Sequence, residues 1–138
     1  MLKYMLDTNI CIFTSKNKPK EVREAFECHH GQMCISTVTV MELIYGAEKS
    51  SFPERNLAVI EGLVARLEVQ NYDLKAAEHT GQLRAELEKQ GKTIGAYDFM
   101  IAGHARSQGL ILVTNNVREF TRVPGLRVED WANPESQN

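Results

Sequence analysis

With 138 residues, 43% of them apolar and 25% charged, the chain has the size and make-up of one globular domain that buries its own core. No apolar run is long enough to span a membrane, and Asp7 interrupts the N-terminal apolar stretch too early for a secretory signal. Sixteen Lys and Arg against eighteen Asp and Glu leave a net charge of −2, so no global basic field advertises a nucleic-acid partner.

In chain order, short apolar runs alternate with stretches of helical period. Lys3–Leu6 reads as a strand ending on Asp7, and the following "ICIF" can continue as helix. Pro19 opens a helix with Val22 and Phe26 four residues apart, Met33–Ser36 is the second strand, and another helix follows Ser36. A helix from Arg55 sets Leu57, Ile60, Val64 and Leu67 at helical spacing, next to a strand at Leu67–Val69. A further helix begins near Asp73 and one more runs from about Tyr97 to Gln108. Strands at Leu110–Val113 and Leu126–Val128 complete the order. Strands separated by helices predict an α/β fold with a parallel sheet covered on both faces. Chemistry in such sheets sits beyond the carboxyl ends of the strands. Residues 1–132 read as one domain and 133–138 as a flexible polar tail.

Three acids stand out at or near those ends. Asp7 follows a largely apolar strand, where a carboxylate is costly unless its charge is used. A helix cap explains it too, although Asn9 can serve as that cap and free Asp7. Glu42 lies in "STVTVMELIYGAEK", on a narrow polar stripe with Thr39, Gly46 and Lys49. On so apolar a helix the stripe lines a groove or faces solvent, and position alone leaves both open. Asp98 shares its face with Ile101, Ala102 and Ala105, small residues that let the helix pack closely on the sheet and turn the carboxylate inward. The helix dipole offsets only ~1 kcal/mol or less of its burial. If the three converge, Mg²⁺ or Mn²⁺ is the natural counter-charge, because a hard cation takes oxygen ligands and keeps several waters.

Other candidates carry less. "CHHGQMC" holds Cys28, His29, His30 and Cys34, but the spacing fits no zinc finger and adjacent histidines rarely aim at one ion. Three cysteines, an odd and sparse set, favour a reducing cytoplasm over a disulfide scaffold. His79 and His104 read as structural or surface residues. Basic residues gather at Lys16, Lys18, Lys20 and Arg23, and again at Arg118, Arg122 and Arg127, either as a solvated surface or as a local nucleic-acid contact. Thr114-Asn115-Asn116 reads as a turn after a buried strand.

"MLDTN", "STVTVMELIYGA", "GAYDFMIAGHA" and "LILVTNNVREF", in that order and spacing, resemble the PIN-domain family, and within it the VapC-type toxins of bacterial toxin–antitoxin pairs. The resemblance runs from Leu2 to about Trp131. It implies a three-layer α/β/α sandwich around a short parallel sheet, and a Mg²⁺- or Mn²⁺-dependent endoribonuclease that leaves 5′-phosphate and 3′-hydroxyl ends. Asp7, Glu42 and Asp98 match the family's three acidic positions, with Asp7 and Asp98 as the direct metal ligands. Asn9 and Thr114 match supporting polar positions. Asn116 falls where many members carry a fourth acid, which puts a second tightly held metal in doubt. Also implied are structured RNA as substrate, with the anticodon loop of initiator tRNA favoured, a homodimer, a cognate VapB-type antitoxin covering the acidic site, and operator DNA bound only through the antitoxin complex.

Rival readings fare worse on the residues. A haloacid-dehalogenase-type phosphatase wants a second Asp where Asn9 stands, and a receiver domain wants an acidic pair and a late lysine that "LVTNN" does not supply. A catalytically inert RNA- or partner-binding PIN domain is expected to have lost one of the three acids, all of which are present here.

Overall fold

The computed structural model describes residues 1–16 and 19–132; Lys18 and the tail at 133–138 lie outside the described residues. The elements run β1 (Tyr4–Leu6), α1 (Thr8–Lys16), α2 (Lys20–Cys28), β2 (Met33–Ser36), α3 (Thr37–Glu48), α4 (Pro53–Val64), β3 (Glu68–Gln70), α5 (Leu74–Lys89), α6 (Ala96–Ser107), β4 (Ile111–Val113), α7 (Val117–Phe120) and β5 (Val128–Glu129). The five strands form one parallel sheet in the order β3-β2-β1-β4-β5.

The alternation of side chains along the central strands explains the layering. Tyr4 and Leu6, Met33 and Ile35, and Ile111 and Val113 face one core with Ile10, Val22, Phe26, Leu43 and Leu63 from α1 to α4. Met5, Cys34 and Leu112 point the other way, into a second core with Leu83 and Leu87 of α5 and Phe99, Ile101, Ala102 and Ala105 of α6. Two apolar cores on either side of one sheet make the α/β/α sandwich that the sequence pattern predicts. Continuous apolar runs such as "MCI" and "ILV" are what strands buried on both faces require.

Capping sets where the helices begin. Ser36 Oγ accepts from the Val38 N–H (3.1 Å) at the start of α3, and Asp73 Oδ1 accepts from the Ala76 N–H (3.0 Å) at the start of α5. Pro53 occupies the first turn of α4, where its missing N–H is harmless. That helix ends at Val64, so Leu67, set by its spacing on the same helix, lies outside it. The chain turns there through a Leu67 N–H to Val64 carbonyl bond (3.1 Å) and enters β3, while Leu67 still packs on the first core.

The sheet has a topological switch point. From β1 the chain winds outward through β2 to β3, then returns to β4 on the opposite side of β1. The crossovers on either side of β1 diverge there, which opens a crevice beyond the carboxyl ends of β1 and β4.

Candidate active site

Asp7 stands at that switch point, directly after β1. Its backbone N–H donates to the Val113 carbonyl (3.0 Å), which sets it level with Thr114 just past β4. Its Oδ1 accepts from the Ile10 N–H (2.9 Å) and so caps α1. The cap is therefore Asp7 itself. Asn9, the alternative cap on sequence grounds, is exposed on the second residue of α1. One carboxylate both starts a helix and stands at the switch point of the sheet. Burial pushes its pKa up to about 6, and the charges of Asp98 and Glu42 add to the rise. The Thr114 hydroxyl and the Ile10 amide oppose it by hydrogen-bonding the carboxylate.

The turn after β4 supplies that support. Thr114 is buried, and its Oγ1 accepts from the Asn116 N–H (2.9 Å) while its proton is directed to Asp7. Thr114-Asn115-Asn116 is thus a turn and a bracket for Asp7 at once. Asn116 precedes α7 and is half-buried, without a side-chain cap bond to that helix.

Glu42 reaches the same end of the sheet from α3, where Thr8 Oγ1 donates to its Oε1 (2.7 Å). Thr8 was not singled out in the sequence, although it stands between Asp7 and Asn9 in "DTN". The polar stripe of α3 turns inward over its first part: Thr39 is buried, Glu42 and Gly46 are half-buried, and Lys49 is exposed. Glu42 and Gly46 both line a cavity of about 270 Å³ between α1, α3 and α4, closed by Ile12, Asn56, Val59 and Ile60. Of the two readings of the stripe, the groove is the one observed.

Asp98 enters from the first turn of α6 and is half-buried. It folds back toward Gly95, where a Cβ would lie 3.1 Å from its Oδ2, so the absence of a side chain there leaves room for the carboxylate. Burial, together with the charges of Glu42 and Glu119, raises its pKa to about 6. Glu119 corrects the acid count. The fourth carboxylate stands three residues beyond Asn116, on α7, and acts on Asp98. The signal was present in "NNVREF", but a helix of four residues is too short to show a period.

The remaining candidates resolve as structural. His29 stacks on Trp131 (5.1 Å between ring centroids) and lies 4.6 Å from the Tyr4 ring, Cys34 is buried in β2, and Cys28 is exposed. His104 Nδ1 is 2.8 Å from Ser36 Oγ, and Arg106 Nε donates to His79 Nδ1 (3.0 Å). Lys20 and Arg23 pair with Glu24 and Glu27 along α2, Lys16 lines the cavity that Glu42 lines, and Arg118 is exposed beside Glu119.

The family model for the PIN domain matches residues 4–126. The chain belongs to the PIN-domain family. Its relatives within that family are of the VapC type. The tRNA(fMet)-specific endonuclease VapC of Shigella flexneri is 70% identical over 132 residues, 96% of this chain and 100% of that protein. The DNA-bound VapBC structure from Salmonella typhimurium is 66% identical and covers 95% of this chain and 99% of the matched one, with a TM-score of 0.91. VapBC2 from Rickettsia felis, bound to a fragment of its promoter, is 37% identical with a TM-score of 0.89, covering 94% and 99% of the two chains.

In this PIN domain the acids gathered at this end of the sheet are oxygen donors, the kind a hard divalent cation takes. Carboxylates from β1, α3, α6 and α7 repel one another at one end of the sheet. Among the described residues no three potential ligands already close on one point. An open oxygen set of this kind suits Mg²⁺ or Mn²⁺, which bind through one or two carboxylates and retain water.

Proposed function

We propose that this PIN domain, residues 1–132, is the toxin of a type II toxin–antitoxin pair. It is a Mg²⁺- or Mn²⁺-dependent endoribonuclease that cuts structured RNA at a specific site and so blocks translation and growth. The observation that carries the reading is the convergence of Asp7, Glu42 and Asp98 from three elements, with both aspartates pushed up to about 6 by burial and by neighbouring acids.

Asp7 and Asp98 would hold the cation, which when bound neutralises charge at the scissile phosphate and makes water a better nucleophile. Glu42, oriented by Thr8, takes the proton of the attacking water. Thr114 fixes the Asp7 carboxylate, and Asn116 fixes Thr114 through its backbone; Asn9, exposed on α1, is the remaining supporting residue. Glu119 extends the carboxylate set toward α7, so the case for a single tightly held ion, which counted three acids, loses its premise. Arg118 is placed to contact an RNA phosphate.

The relatives' names support the anticodon loop of initiator tRNA as the target, and the VapBC structures support a VapB-type antitoxin, with operator DNA bound through the complex. The groove that ends at Glu42 suits an antitoxin segment lying over the acids, and the protein works as a homodimer. No helix among the described residues is long and apolar enough to cross a membrane, and the three cysteines are free thiols, in keeping with a cytoplasmic site of action.

Inducing the protein without its antitoxin and sequencing new RNA 5′ ends tests the reading. Cuts in initiator tRNA with 5′-phosphate and 3′-hydroxyl ends, absent with Asp7→Asn, are expected. Cleavage and growth arrest that persist in Asp7→Asn would overturn the site, and 2′,3′-cyclic phosphate ends would overturn the mechanism.

A further inference from the structure

The inward part of the α3 stripe holds one group that this chemistry leaves unused. Thr39 is fully buried, and its Oγ1 is the one buried side-chain nitrogen or oxygen among the described residues without a hydrogen-bond partner. Other helical threonines of the chain are satisfied locally, Thr14 and Thr80 donating to the carbonyls of Ile10 and Ala76. A buried hydroxyl without a partner is unfavourable, and such groups are rare unless a water, ion or ligand serves them.

Its position says where the partner comes from. Thr39 stands one turn before Glu42 on the same face of α3, and that face meets the start of α1, where Thr8 holds Glu42. The register that pairs Met5 with Cys34 brings Asp7 level with Ser36, the cap of α3. On the other side α6 is tied to Ser36 by His104, six residues beyond Asp98. Thr39 therefore lies on α3 between Ser36, to which α6 is tied, and Glu42, which α1 holds.

We propose that Thr39 is a positioning residue of the carboxylate site: its hydroxyl donates to a water ordered between α3 and the acids, and that water fixes the carboxylates when a divalent cation binds. A water bridging the hydroxyl to a carboxylate oxygen would give the buried hydroxyl the partner it lacks and have polar partners of its own. The inference rests on the metal-dependent nuclease reading.

Titrating Mn²⁺ into the metal-free full-length protein, followed by electron paramagnetic resonance, tests it in wild type, Thr39→Val and Thr39→Ser. Val keeps the shape and removes the hydroxyl. Its Mn²⁺ dissociation constant is expected to rise about tenfold, with a thermal midpoint in EDTA at or above that of wild type, and Ser is expected to restore the affinity. Wild-type affinity in Thr39→Val would sink the inference alone. So would a fall in the EDTA midpoint or loss of fold, because the hydroxyl then has a structural partner in the free protein. No Mn²⁺ binding by wild type would sink the metal-dependent reading as well.

Discussion

Replacing Asp7 by Asn leaves an acceptor for the Ile10 N–H, and with it the cap of α1, but removes a charge that the buried site has to bear. Folded Asp7 titrates near 6 against an ordinary 3.8, so the native state binds this proton more tightly than the unfolded chain does. The stability linked to it is fully present below about pH 4 and is lost as the pH rises through about 6. For the metal-free protein that loss is on the order of 2–3 kcal/mol by neutral pH, and Asp98 acts in the same direction. In EDTA, Asp7→Asn should therefore melt above wild type at about pH 7.5, with the gap closing toward pH 4, while RNA cleavage is abolished. A gap that is the same at both ends of the range would contradict the burial of this charge. Thr114 tests the support of the same carboxylate. Thr114→Val removes the bond that lowers the Asp7 pKa and the acceptor of the Asn116 N–H. Cleavage is expected to fall about 10- to 100-fold, with the acid limb of the pH–rate profile moved to higher pH. An unmoved limb would leave Thr114 with a turn-forming role only.

At the scale of elements, legibility followed burial and length. Strands such as Met33–Ser36 and Ile111–Val113 are buried throughout and flanked by helices, so a short apolar run was enough to locate them. The helix at Lys20–Cys28 shows its period in Val22 and Phe26, four residues apart and both buried. Four-residue α7 shows none, and Glu119 went unnoticed with it. The convergence of the acids is a matter of topology: Asp7 and Asp98 meet because β1 and β4 adjoin at the switch point, which no spacing along the chain encodes. The ordered motifs of the PIN family supplied what period could not. Contacts between helices were equally hidden. Ala102 and Ala105 read correctly as a face on the core, but Gly103 answers to α5 instead, since a Cβ there would come within 2.7 Å of the Thr80 backbone. Gly→Ala inside a helix ordinarily stabilises by up to about 1 kcal/mol. Gly103→Ala should reverse that sign and cost about 1–3 kcal/mol in denaturant unfolding, because α5 and α6 must move apart. A stabilised variant would show that the two helices have slack at this contact.

For the molecule as a whole, the difficulty is to present a cluster of acids to a polyanion. The net charge of −2 gives RNA no general attraction, so binding must rest on the cation and on a few basic residues such as Arg118. The same arithmetic favours an antitoxin, because a protein segment is not repelled by the carboxylates and can bring a positive charge to them. The cavity between α1, α3 and α4 is lined by apolar Ile12, Val59 and Ile60 and ends at Glu42, so a segment lying along it would bury apolar side chains and finish over the acids. Val59 is 45% exposed and lies on α4, away from Asp7 and Asp98. Val59→Ser should leave the fold and the charge around Glu42 as in wild type, yet weaken antitoxin binding about tenfold, since apolar contact is lost and a hydroxyl is buried in its place. Cells carrying this variant should then arrest despite co-expressed antitoxin. If neutralisation persists and the affinity is unchanged, the antitoxin must approach by another surface. The broader apolar groove between α3 and α4, lined by Val40, Ile44, Leu57 and Val64, is then the one to alter, because it exposes more apolar area for a helix to dock on than the cavity at Glu42 does.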